Sequence, residues 1–220
     1  MPRRRVPDGC GPSLQWEKRA WASQAVLIGV DEVGRGPLAG PVVAAAAVFP
    51  AGLSPLAGVR DSKTLSARQR AALVPELFEQ AVALAVAAAS VREIDRFNIR
   101  VATALAMRRA IDRVLRRMGD GAERHRVLLD GLPLPECGHV HDSLVDGDAL
   151  CYSIAAAGIV AKEVRDLLMR RLARRYPGYG WESNVGYGTD AHCRAILARG
   201  PTPHHRRSFA PLAQMDLNLA

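Results

Sequence analysis

A chain of 220 residues can bury one good-sized core, and a single domain of that length is ordinary. Hydrophobic residues at 49% and charged residues at 24% exclude a disordered chain. A net charge of +8 favours polyanionic partners such as nucleic acid, although any soluble basic protein shares that balance.

The start, Met1-Pro2-Arg3-Arg4-Arg5, is basic with no apolar run behind it, so no signal peptide is expected. Residues 1–24 are rich in proline, glycine and charge, and are expected to form a loosely ordered arm with a short helix around Gln15–Trp21. Residues 25–220 are expected to form one domain. Its first strand, Val26-Leu27-Ile28-Gly29-Val30, runs into Asp31-Glu32 and a Gly34-Arg35-Gly36 turn. The stretch Gly36 to Val59 carries no charge and is long enough to span a bilayer. Pro37, Pro41, Pro50 and Pro55 lie inside it, and each would cost a helix about 3 kcal/mol. Turn–strand–turn is therefore expected, with the strand at 41–49, and no membrane span.

Ser66 is placed to cap a helix running to about Gln80, and residues 81–89 read as a strand in which valine and leucine alternate with alanine. A long helix is expected from Asn98 to about Met118, ended by Gly119 and Gly121. Arg126 to Gly131 reads as a short strand, which Pro133 and Pro135 keep from extending. A second long helix is expected from about Ala149 to Tyr176, stopped by Pro177-Gly178. A glycine-rich loop to Gly188 and a last helix over Asp190–Arg199 follow. Strands first, then strands alternating with helices, predict an α/β layered domain with a mixed sheet. Cys10, Cys137, Cys151 and Cys193 show no C-x-x-C pair or zinc-like spacing, and read as reduced thiols of a cytoplasmic protein.

The chemistry concentrates in acids. Asp31-Glu32 and Asp130 sit where core strands stop, and Asp148 opens a helix after Gly147. Asp130-Gly131 is also a common turn pair and Asp148 an ordinary N-cap. Two acids directly after a hydrophobic strand have no capping role, so Asp31-Glu32 needs another explanation. Sites in open α/β sheets gather at strand ends and helix starts, where these acids would meet. Neighbouring strand residues point to opposite faces, so either the strand twists open near Gly34 or Glu32 reaches round. Two carboxylates ~5 Å apart repel by about 3 kcal/mol at an effective dielectric of 20, so the cluster calls for cations. Oxygen-only ligands favour Mg²⁺ or Mn²⁺ over zinc, and two such ions suit attack of water on a phosphodiester. Gly34-x-Gly36 is no dinucleotide fingerprint, because Pro37 and Pro41 obstruct the helix such a motif must open.

Gly29-Val30-Asp31-Glu32-Val33-Gly34-Arg35-Gly36-Pro37-Leu38-Ala39-Gly40 closely resembles the opening motif of bacterial ribonuclease HII. The resemblance continues through Asp61-Ser62-Lys63-Thr64-Leu65-Ser66, Leu129-Asp130-Gly131, Gly147-Asp148, Gly186-Tyr187-Gly188-Thr189 and His205-Arg206-Arg207-Ser208-Phe209. It implies a ribonuclease-H-like mixed β-sheet flanked by helices, with a helical C-terminal portion. It implies an endoribonuclease that cleaves RNA–DNA hybrids and incises 5′ to single ribonucleotides in duplex DNA, leaving 3′-hydroxyl and 5′-phosphate ends. Nothing in the sequence suggests an obligate partner, and a monomer is expected. The family's metal-binding acids fall on Asp31, Glu32, Asp130 and Asp148. Gly34, Arg35 and Gly36 would read the ribose 2′-hydroxyl, Tyr187 would pack at the RNA–DNA junction, and Lys63 would hold a backbone phosphate. Gly158 stands where many members have serine, Val185 where lysine is common, and Asp146 where lysine often precedes Gly-Asp. A DNA-only resolvase-like nuclease and a non-catalytic nucleic-acid-binding protein are the competing readings. The Gly-Arg-Gly loop argues against the first and the four acids against the second.

Overall fold

The computed structural model describes residues 11–217, without the side chains of residues 120, 122 and 215–217. Five strands form one mixed sheet in the order β3-β2-β1-β4-β5. Strands β1 (Val26–Val33), β2 (Val42–Val48) and β3 (Ala83–Ala89) pair antiparallel, while β4 (His125–Asp130) and β5 (Asp142–Leu144) continue the sheet in parallel. Alternation assigns the faces. Val42, Ala44, Ala46 and Val48 of β2 point to the core beneath α3 (Val91–Met118), and Val43, Ala45 and Ala47 point to the core beneath α2 (Ala67–Gln80) and α5 (Tyr152–Arg175). Every residue of β2 is buried, as expected of a strand covered by helices on both sides.

Helix α2 has the expected bounds, with Ser66 and Gln69 forming a reciprocal capping box. Helix α3 begins seven residues earlier than expected, under a second capping box made by Ser90 and Glu93. The expected start survives as a break: Asn98 adopts φ 69° and ψ 167°, and its Oδ1 accepts from the N–H groups of Arg100 and Val101. The second long helix is divided. Helix α4 (Gly147–Leu150) ends before Cys151, whose extended backbone (φ −117°, ψ 124°) separates it from α5. The cause lies at the other end of the chain. Ser13 N–H donates to Leu150 O, and Tyr152 N–H donates to Ser13 O, so these groups are not free to continue a helix.

Residues 1–10 of the expected arm lie outside the described residues. Within the remainder, α1 (Gln15–Ala22) packs on the sheet, with Ala20 buried beside Leu27, Leu128 and Ile154. Glu17 is buried too, and its Oε1 accepts from Ser153 N–H (2.8 Å), Ser153 Oγ (2.7 Å) and Cys151 Sγ (3.3 Å). Helix α5 has no side-chain cap of its own, so Glu17 caps it from a different helix.

A third core gathers the C-terminal elements α6 (Trp181–Asn184), α7 (Asp190–Arg199) and α8 (Leu212–Leu217) around Trp181, Met169, Tyr179 and Ile196. Helix α6 falls inside the expected glycine-rich loop, and the three-residue β5 was too short to show as a pattern. His205 is buried and bonded to His192 and Thr202. Among the described residues no helix is long and apolar enough to cross a membrane.

Replacing Glu17 with alanine leaves Ser153 N–H and Oγ without their buried acceptor. Stability should fall by about 1–3 kcal/mol, read as a lower urea midpoint at constant slope. An unchanged midpoint would show that this cap carries no weight.

Candidate active site

Parallel pairing sets the site. Strands β1 and β4 run in register from Val26–His125 to Val30–Leu129, so the next residues, Asp31 and Asp130, end up side by side. The chain then returns through Asp146, whose left-handed backbone (φ 55°, ψ 35°) turns it into α4. Gly147 N–H donates to Asp130 Oδ1 (2.8 Å), tying this turn to β4 and bringing Asp148 to the same edge. Asp31, Asp130 and Asp148 each offer a carboxylate oxygen, all within 4.8 Å of one another.

Glu32 stands beside this group rather than in it, as strand alternation requires. Its Oε1 lies 3.4 Å from Arg35 Nη1. The four acids still sense one another. Burial, then repulsion from Glu32, Asp130 and Asp148, pushes Asp31 well above the ordinary aspartate range. Burial raises Glu32 against the opposing pull of Arg35. Burial and then Glu32 raise Asp130. Asp148 is pushed up to about 6 by burial, Asp130 and Asp61, with Lys63 opposing.

Lys63 Nζ sits 3.4 Å from Asp148 Oδ2 and 3.9 Å from Asp61 Oδ1. Burial works against its charge, but Asp148, Asp61 and Asp31 together hold the ammonium above its usual range. Lys63 thus faces the acids directly, where the sequence had suggested only a phosphate. Clustered carboxylates, with protons held abnormally tightly, fit a hard divalent cation such as Mg²⁺ or Mn²⁺.

The departure at position 158 has a steric meaning. Gly158 lies on α5, and a Cβ built there would meet Asp31 Oδ2 at 2.2 Å. The Asp31 carboxylate fills the space that any side chain at 158 would need. Val185 packs into the C-terminal core, and Asp146 is exposed at its turn.

The Gly34-Arg35-Gly36 loop follows β1 directly. The Arg35 side chain is exposed, and a Cβ on Gly36 would lie 3.8 Å from Tyr187 Cε1. Tyr187, itself half exposed, therefore borders the loop. Two residues in this region were not legible as site components. Arg165 on α5 and Arg206 in the C-terminal segment, both of a residue type that usually stays exposed, are fully buried beneath the loop. The only available signal was an arginine on an otherwise apolar helical face.

A family model described as Ribonuclease HII matches residues 28–212. Ribonuclease HII of Synechococcus sp. (strain JA-3-3Ab) is 52% identical over 208 residues, covering 93% of this chain and 91% of that protein. Among solved structures, ribonuclease H2 from Pyrococcus horikoshii OT3 superposes with a TM-score of 0.70 at 23% identity, covering 88% of this chain and 98% of that one. The Bst-RNase HIII complex with Mn²⁺ superposes at 0.67 with 24% identity, covering 88% and 70%. These structures share the ribonuclease-H-like fold.

Two expectations follow from the acidic cluster. A carboxyl whose folded pKa is raised stabilises the fold while protonated. For Asp148 that gain is full below 3.8 and gone above about 6. Glu93, which its hydrogen bond to Arg109 holds down to about 2, acts in the opposite sense, and only below 4.5. Buried His205, lowered to about 4, adds stability as the pH rises through the same range, so the acids show in the comparison between proteins. Without divalent ions, wild type should lose more melting temperature, or gain less, between about pH 4 and about pH 6 than Asp148→Asn. Equal slopes would remove Asp148 from the set of mutually repelling acids. Gly158→Ala should weaken Mn²⁺ binding by about 10–100-fold in calorimetry by displacing Asp31. Unchanged affinity would mean that the carboxylate has room to spare.

Proposed function

The chain belongs to the ribonuclease HII family, and on that premise we propose that Asp31, Glu32, Asp130 and Asp148 form the metal-binding catalytic centre of an endoribonuclease acting on RNA–DNA hybrids and on single ribonucleotides in duplex DNA. The observation that carries this reading is the approach of Asp31, Asp130 and Asp148 to within 4.8 Å at one sheet edge, in a chain of net charge +8. Mg²⁺ or Mn²⁺ held there would offset the charge of the acids and of the phosphate under attack, as in two-metal phosphodiester hydrolysis. Mn²⁺ in the RNase HIII neighbour supports that cation class.

The chain's own residues do the rest. Asp31 and Asp130 are anchored by strand register, and Asp148 by the Gly147–Asp130 bond, so the acids are held in place before substrate arrives. Gly34, Arg35 and Gly36 present main chain to the sugar, and the 2′-hydroxyl, both donor and acceptor, is what separates RNA from DNA. Tyr187 offers a half-exposed ring beside that loop for stacking on the nucleotide at the junction. Lys63, paired with Asp148 but with its side chain 73% exposed, can also reach a backbone phosphate. Incision 5′ to the ribonucleotide would leave 3′-hydroxyl and 5′-phosphate ends. A monomer is the proposed oligomeric state. The free thiols of Cys137, Cys151 and Cys193 support a cytoplasmic setting. One sheet carries all the strands between residues 26 and 144, which supports treating residues 25–220 as one catalytic domain.

The test is a DNA duplex carrying one ribonucleotide, incubated with Mg²⁺ or Mn²⁺ beside an all-DNA control. Cleavage 5′ to the ribonucleotide alone is expected, and Asp31→Asn should yield no product while keeping the wild-type circular dichroism spectrum. Equal cutting of the control would assign a DNA-only nuclease. Binding without cutting under either ion would assign a non-catalytic protein.

A further inference from the structure

The turn after β1 rests on two buried cations. Arg206 is fully buried and donates from Nε to Gly40 O (2.9 Å), from Nη1 to Arg35 O (2.8 Å) and from Nη2 to Gly34 O (2.5 Å). Arg165, also fully buried, donates from Nε to Pro41 O (3.1 Å), from Nη1 to Val185 O (3.0 Å) and from Nη2 to Ala39 O (3.1 Å). Neither guanidinium forms a salt bridge among the described residues. Burial, with Arg165 adding repulsion, pushes Arg206 down to about 9, so it remains charged at neutral pH. Two mutually repelling cations with no carboxylate in contact, only the more distant pull of Asp166 on Arg165 and of Asp95 on Arg206, are a costly way to fill a core. A packing role alone would be better served by apolar side chains.

Peptide geometry shows what the arrangement achieves. In a planar trans peptide the C=O and the following N–H point in opposite directions. Fixing the Gly34 and Arg35 carbonyls on Arg206 therefore turns the Arg35 and Gly36 N–H groups away from it. Those two donors find no acceptor among the described residues. Gly34 makes this possible: its φ is +92°, and a Cβ there would meet Arg165 Nε at 2.1 Å. A cation on a carbonyl also polarises the peptide and strengthens its N–H as a donor.

We propose that Arg206, supported by Arg165, is a positioning residue for ribonucleotide recognition, holding the Gly34–Gly36 peptides so that two consecutive N–H groups face the sugar. The proposal rests on the functional reading above and names what makes its loop selective. Arg206→Lys keeps the charge but loses the planar fork that spans Gly34, Arg35 and Gly40.

The experiment measures fluorescence anisotropy in EDTA, comparing the affinity of the full chain for a duplex with one ribonucleotide and for its all-DNA counterpart. Wild type should prefer the ribonucleotide duplex. In R206K that preference should drop about tenfold, while calorimetric Mn²⁺ affinity at the acidic cluster stays at the wild-type value. A folded R206K with wild-type preference overturns the proposal, as does an equal loss of affinity for both duplexes. If R206K does not fold, R165K is measured in its place, with the same two results deciding. A wild-type protein without any preference overturns the ribonucleotide reading itself, and is told apart because no variant is needed to see it.

Discussion

Three carboxylates pressed together, two of them buried and Asp130 half-buried, are the constraint around which this molecule is arranged. Repulsion among Asp31, Asp130 and Asp148 opposes folding whenever all are ionised, so the surrounding backbone must hold them against it. Hydrogen-bonded register between β1 and β4 fixes two of them, and the Gly147 amide fixes the turn that delivers the third. Helix α5 closes over Asp31 at a glycine, leaving the carboxylate as the filler of its own pocket. A protein of strongly positive net charge thus carries a concentrated negative spot. Long-range attraction brings a polyanion to the surface, while at short range only cations make the spot tolerable to phosphate.

A few residues further along, the sign is reversed. The segment 34–41 lies over Arg165 and Arg206, whose six hydrogen bonds all go to main-chain carbonyls. Mobile cations answer the acids, whereas fixed cations organise the loop. Both arrangements depend on the C-terminal third of the chain, which supplies Gly158, Arg165 and Arg206 to a site begun by residues 31–36. The helical C-terminal portion is therefore part of the site's construction, in addition to covering the sheet.

Much of this could be read from residue order. The Ser66 cap, the helix ending at Met118 and the run of acids after a hydrophobic strand are local signals, and each element formed where its signal lay. What escaped the reading depends on distant partners. Nothing near Cys151 announces a break in the helix, because Ser13 imposes it from the opposite end of the chain. Glu17 looks like a solvated helix residue until Ser153 is placed beneath it. Arg165 and Arg206 are the commonest kind of surface residue by type, and only the carbonyls of another segment make them interior. The standing of Glu32 outside the closest group follows from strand alternation, which raised the difficulty in the sequence without deciding it.

The bridge between Ser13 and Cys151 also bears on how the chain is made. These two points are separated by 138 positions, yet the amino-terminal helix can be seated only when both are present. During synthesis at roughly 5–20 residues per second, α1 emerges well before the segment it caps. Contacts of such wide sequence separation form late and slow the final stage of folding. Helix α1 is therefore expected to be among the last parts to lock, with closure of the α4–α5 junction coinciding with its docking.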